Sequence, residues 1–287
     1  MTDFPDYPVI DFHIHIQPWW QLKPDVQLIM SKGRSNYDDL LEIMKKPERC
    51  LALMDDAGIE RAGLINYVAP DLMGFDDSCC EFVIEYASFA PDRLLPFGSV
   101  NPRLRKDCGA RIRELIDLGM KAVKVHPPHQ LIHVNDYLGE YPHQAEIYEE
   151  CQKSKIPLMI HTGTSIFPGA RNKYARCMPV DDLALDFPDL KIVMAHGGRP
   201  LYMDEAFFLV RRHTNVHMDI SGIPPSRLLN YFPRLSSISD KVLWGTDWPG
   251  PGVPDMKQNI GEFWQLELED DVKKAILYDN AVRLLGD

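Results

Sequence analysis

Along the chain, short apolar runs alternate with stretches whose apolar residues fall three and four apart. Eight runs are rich in β-branched and aliphatic residues: PVIDFHIHI (8–16), RAGLINYV (61–68), LLPFGSVN (94–101), KAVKVHP (121–127), PLMIHTG (157–163), KIVMAHGG (191–198), NVHMDIS (215–221) and KVLWGTDWP (241–249). Runs of this length and composition predict β-strands. Between them, the segments 38–58, 79–90, 110–119, 141–154, 202–213 and 271–286 carry the helical spacing. Pro47 divides the first of these in two, and Gly58 and Gly119 stand where helix C-caps belong. Strands alternating with helices predict βαβ units and a parallel sheet. Eight such units in 287 residues fit a (β/α)₈ TIM barrel, a fold of typically ~250 residues, here as a single domain over 1–287. An open doubly wound sheet is the alternative, but no GxGxxG turn comes after the first strand to favour it.

The polar residues within these runs are not scattered. In VIDFHIHI the side-chain period of two puts Val9, Asp11, His13 and His15 on one face and Ile10, Phe12, Ile14 and Ile16 on the other. Two imidazoles turned together into an enclosed space need a shared partner, and a divalent metal supplies one. Lys124 and His126 end the fourth run, His161 the fifth, His196 the sixth and Asp247 the eighth. In a parallel barrel those strand ends converge on one face, where catalytic residues sit. Residues far apart in sequence are thereby expected in a single pocket.

Composition narrows the function classes. A formal net charge of −11 argues against nucleic acid and anionic membrane surfaces as partners. Six cysteines without a CxxC pair read as reduced thiols, and no window of ~18 apolar residues predicts a membrane span. The first residues lack a basic region followed by an apolar run, so a cytoplasmic location is expected. The partner expected is a small-molecule substrate, and a homodimer is allowed.

IDFHIH, IHTG, MAHGGRP, LWGTDWP and ILYDNAVRLLG, in this order and spacing from residue 10 to 286, resemble the amidohydrolase superfamily. Within it, the chain looks like the amidohydrolase-related branch that includes aminocarboxymuconate-semialdehyde decarboxylase. That resemblance implies His13, His15, His161 and Asp247 as metal ligands, with His196 beside the metal as a catalytic or orienting residue. Three imidazoles, a carboxylate and a water suit Zn²⁺ best, with Mn²⁺, Fe²⁺ or Co²⁺ as alternatives. In binuclear relatives a carbamylated lysine bridges two metals, and KAVKVHP resembles that context. The favoured role for Lys124 is nevertheless to hold a substrate carboxylate or support the site.

Arg199, after the HGG turn, suits a bidentate carboxylate contact. His126 is expected to line the pocket and Trp19 to contact substrate from a lid-like segment. His129 and His133 are expected to be solvated or in support, His143, His213 and His217 to be structural, and Asp219 to support the site. The reading reached is a metal-dependent hydrolase of a small ester, lactone or amide, in which Asp247 takes a proton from water and His196 stabilises an oxyanion. The alternative is a metal-dependent, non-oxidative decarboxylase of a small unsaturated or aromatic carboxylic acid.

Overall fold

The computed structural model describes residues 4–253 and 255–286. Eight parallel strands succeed one another in chain order: β1 (Val9–Ile14), β2 (Ile59–Ile65), β3 (Leu94–Gly98), β4 (Ala122–Val125), β5 (Leu158–His161), β6 (Ile192–Ala195), β7 (Val216–Asp219) and β8 (Val242–Leu243). Each apolar run of the sequence holds one of them, and the architecture is the expected TIM barrel. Almost every strand residue is buried, as a parallel sheet covered on both faces requires.

The helices fall partly where the spacing predicts. Pro47 starts the helix Pro47–Asp56 rather than merely breaking its predecessor, Tyr37–Ile43, because a proline at the first helical position forfeits no hydrogen bond. Gly58 and Gly119 adopt positive φ, +67° and +113°, as helix-terminating residues. Pro24–Ser31, Val180–Asp186, Pro225–Tyr231 and Met256–Trp264 are helices that the spacing does not announce. Two of these are only seven residues long, too short for a clear 3.6-residue pattern. The segment 271–286, read as one helix, is interrupted by a π turn at Ala275–Asp279. The carbonyl of Ile276, in that turn, accepts from Trp244 N at 3.0 Å and ties the end of the chain to β8.

β8 has only two residues, so the barrel closes mainly through the residues just after it, Trp244 to Trp248. Phe12 N donates to Trp244 O at 2.9 Å, Asp247 N to His13 O at 2.8 Å and His15 N to Trp248 O at 2.6 Å. A buried carboxylate fastens the same seam. Asp11 accepts from Thr246 N at 3.0 Å, Thr246 Oγ1 at 2.7 Å and His13 N at 3.1 Å. Burial pushes its pKa up to about 7, against those hydrogen bonds.

Replacing Thr246 with valine keeps the shape and removes one donor to this carboxylate. Thr246→Val should lose about 1–3 kcal/mol of stability, the cost of stranding a buried acceptor. The test is the urea midpoint at an unchanged m-value; a midpoint equal to wild type would show that the seam does not rely on Asp11.

Candidate metal centre and substrate cavity

His13, on β1, is buried, and its Nδ1 lies 2.8 Å from Asp219 Oδ2. A carboxylate can only accept, so Nδ1 carries the hydrogen and Nε2 presents a lone pair. Among the described residues that Nε2 is buried with no hydrogen-bond partner; it lies 3.6 Å from Asp247 Oδ1. His15 is half-buried, and its Nε2 sits 3.0 Å from the same oxygen. His13, His15 and Asp247 thus offer three donor atoms within 4.8 Å of one another. Two imidazole nitrogens, one of them orphaned and buried, and a carboxylate fit a divalent transition metal.

Asp247 lies beyond β8 in the left-handed region, φ +68°, as does His196 after β6, φ +66°. Non-glycine residues held in this region are uncommon and gather at functional sites. Asp247 Oδ2 accepts from Arg199 Nη2 at 3.0 Å. Gly222 makes room for this pair, since a Cβ there would lie 2.7 Å from both Arg199 Nη2 and Asp247 Oδ2. Burial pushes the Asp247 carboxyl up, but His196, His15 and Arg199 outweigh it and hold the group well below the usual carboxylate range.

Asp219 and Ser221, at the end of β7, orient the histidines from behind. Asp219 Oδ1 accepts from His196 N and Ser221 N, both at 3.0 Å, and from the Ser221 hydroxyl. The supporting role expected of Asp219 has this geometry. His196 Nδ1 lies 3.0 Å from Ser221 O, so it too carries the hydrogen and leaves Nε2 as an acceptor. In this tautomer neutral His196 cannot donate to an oxyanion, the role its sequence position suggested, until it has gained a proton.

A cavity of about 260 Å³ opens beside these groups. Lys124, on β4, and His126, just after it, line it. Lys124 is fully buried, and among the described residues its Nζ has no hydrogen-bond partner. Burial lowers its pKa to about 8, with Asp219 and Asp247 opposing. His161 lines the cavity but stands outside the three-donor set: its Nε2 is 3.2 Å from Gly163 O, and its ring stacks on His126 at 3.8 Å. Trp19 departs from the expectation. It is fully buried, stacks on Tyr37 at 5.7 Å and is not among the cavity-lining residues.

His129 departs in the other direction. Expected in solvent or support, it is buried in the cavity wall and stacks on His126 at 3.6 Å. The signal was available in HPPHQ: a proline at the first helical position starts a short helix, Pro127–Gln130, and three-residue spacing brings His126 and His129 together. Tyr67, after β2, and Ser165, after β5, also line the cavity; Tyr67 falls near the end of the predicted run 61–68, a signal that could have found it, whereas nothing around Ser165 marks it. His143 and His213 bond to Pro102 O and Asp181, away from the cavity, as structural residues do.

A family model described as Amidohydrolase matches residues 10–286. A search of curated proteins finds no match. Among solved structures, an uncharacterised TIM-barrel protein from Bordetella bronchiseptica is similar at 24% identity and TM-score 0.77, covering 97% of this chain and 98% of that one. A 5-carboxyvanillate decarboxylase from Novosphingobium aromaticivorans, complexed with manganese and 4-hydroxy-3-methoxy-5-nitrobenzoic acid, is similar at 15% identity and TM-score 0.71, covering 99% of both chains. A probable 2-pyrone-4,6-dicarboxylic acid hydrolase from Acinetobacter baumannii, with citric acid bound, is similar at 15% identity and TM-score 0.69, covering 97% of this chain and 99% of that one. At these identities the likeness is one of fold.

The buried imidazoles make stability depend on pH. Burial lowers the pKa of His13 to about 4 and that of His129 to about 3, and holds His126, His161 and His196 well below 6.5. Below pH 6.5 the unfolded chain therefore binds more protons than the native one, and stability falls as pH falls. Asp11, raised to about 7, works in the opposite sense over the same interval, one group against five. Chelator-treated protein should lose about 2 kcal/mol per depressed histidine between pH 7 and 5. His129→Phe should flatten the slope of urea-derived stability against pH by about one proton; an unchanged slope would mean that His129 is charged in the native state.

Proposed function

Because the chain belongs to the amidohydrolase family, we propose that it is a metal-dependent hydrolase of a small ester, lactone or amide that carries a carboxylate. The observation that carries this reading is the protonation pattern of the site. Asp247 is held ionised and His196 presents a bare Nε2, so at neutral pH both are proton acceptors. Hydrolysis needs acceptors to activate water.

His13, His15 and Asp247 would hold the cation, with His161 as the fourth ligand that the family resemblance implies. When bound, a divalent ion, Zn²⁺ by preference, supplies Lewis acidity: it polarises a carbonyl and lowers the pKa of water from 15.7 to about 7. The residues of the chain do the rest. Asp247 accepts the proton of the attacking water and returns it to the leaving group, and His196 provides a second acceptor through Nε2. Arg199 and Lys124 hold the substrate carboxylate. The Lys124 ammonium has no hydrogen-bond partner among the described residues to give up, and burial makes any pairing stronger than it would be in water.

A second reading, decarboxylation, is favoured by the same lysine. A pKa of about 8 makes Lys124 a proton donor near neutrality, and a decarboxylase must protonate carbon. One panel separates the two: lactones, esters and amides bearing a carboxylate, alongside aromatic and unsaturated carboxylic acids. Acid release without CO₂ is expected; CO₂ release would replace the hydrolase reading with the lyase.

Protein purified without chelator should contain about one equivalent of divalent metal by elemental analysis, as candidate donor groups that share His13 imply. His13→Ala should lose metal and turnover together. In Asp247→Asn the amide oxygen can still coordinate but cannot take a proton from water at neutral pH. That variant should retain metal and lose about 10²–10⁴-fold in kcat; turnover equal to wild type would remove Asp247 from the mechanism.

A further inference from the structure

One hydrogen-bonded chain in the cavity wall has no part in the chemistry above. The Tyr67 hydroxyl lies 3.0 Å from His129 Nδ1, and His129 Nε2 lies 2.7 Å from Ser165 Oγ. Three loops, those after β2, β4 and β5, meet on this imidazole. Two arrangements of hydrogens satisfy the distances. Tyr67 donates to Nδ1 and Nε2–H donates to Ser165, or the whole chain runs the other way and the phenol hydrogen is left over.

Burial decides between them. Both residues line the cavity, but Tyr67 is only 3% exposed, so a left-over phenol hydrogen would be the more deeply buried donor without a partner, which native structures avoid. Ser165 is half-buried and lines the cavity, where a left-over hydroxyl hydrogen has room. Burial also keeps the Tyr67 phenol protonated and the His129 ring neutral. The chain therefore runs from Tyr67 through His129 to Ser165.

The rest of Ser165 is occupied. Its N–H donates to Asn172 Oδ1 at 2.8 Å, its carbonyl accepts from Asn172 Nδ2 at 3.1 Å, and its Oγ also accepts from Phe167 N at 3.3 Å. With both lone pairs of Oγ engaged, one O–H hydrogen is the capacity of this residue left unused among the described residues. We propose that Ser165 is a substrate-binding residue that donates this hydrogen to an acceptor oxygen of the ligand, a carboxylate or carbonyl. Tyr67 and His129 are positioning residues that fix it as a donor. The proposal rests on the cavity being the substrate site, as in the function proposed above, but not on the reaction carried out there.

The experiment has two arms on the full chain. In the first, ¹⁵N NMR of histidine-labelled protein reads the His129 tautomer without any ligand. A protonated Nε2 is expected in the wild type, with a shift toward protonated Nδ1 in Tyr67→Phe. A wild-type His129 protonated at Nδ1 overturns the proposal.

The second arm uses whichever substrate the panel identifies. Ser165→Ala and Tyr67→Phe should each raise KM about tenfold with little change in kcat, the loss of one hydrogen bond made equally in ground and transition states. Ser165→Thr should restore most of the binding, and the double variant should be no worse than the poorer single one, because both act through one bond. Additive losses, or a fall in kcat alone, overturn it. A wild-type chain that turns over nothing in the panel sinks the hydrolase and decarboxylase readings, and the tautomer then decides this proposal by itself.

Discussion

Closure of the barrel between its first and last strands is the constraint on which the rest depends. β8 is too short to make a long ladder, so the seam is carried by backbone bonds from Phe12, His15 and Asp247 and by the buried Asp11–Thr246 contact. The same few residues hold the candidate donors: His13 and His15 lie on one side of the seam and Asp247 on the other. Fold and chemistry share their hydrogen bonds here. The Asp247 amide that closes the barrel by donating to His13 O also aims the carboxylate at both imidazoles.

The second organising fact is the concentration of nitrogen in a space from which water is largely excluded. Lys124, His126, His129, His161 and His196 are all buried around one cavity. Desolvation keeps the imidazoles neutral, so each has one donor and one acceptor whose direction its neighbour sets. Asp219 and Ser221 set it for His13 and His196, and Tyr67 sets it for His129. Beside the donors that could hold a cation, the same cavity sets the Arg199 guanidinium, bonded to Asp247, and the Lys124 ammonium, which has no hydrogen-bond partner among the described residues.

Much of this was legible in the sequence, and the parts that were not have physical causes. The strands were plain because a parallel sheet buried on both faces writes itself as apolar runs, and residues at the ends of those runs must converge. His13, His15, Lys124, His126, His161, His196 and Asp247 come together at one end of the barrel for this reason. Trp19 was misjudged because an aromatic at the start of a loop looks the same whether it covers a cavity or fills the core. His129 was misjudged because proline-rich sequence reads as a solvated loop, whereas here it winds a single helical turn back over the cavity. Tyr67 sits near the end of the run 61–68, where it was passed over because a tyrosine is as common in a core as in a site. Ser165 carries no periodic mark; its placement comes from where the loop after β5 folds, which the strand pattern does not encode.

The position of the donors along the chain has a consequence for how the molecule is made. His13 and His15 precede Asp247 by more than 230 residues, so they leave the ribosome long before it. Every intermediate length therefore carries the two imidazoles without their carboxylate, on a β1 whose second neighbour in the closed barrel does not yet exist. Strand pairing in chain order can proceed from β1 to β7 as each strand emerges, but that growing sheet is an open arc with two free edges. The arc thus closes in a single late event: the arrival of the eighth strand shuts it and assembles the donor set in the same step.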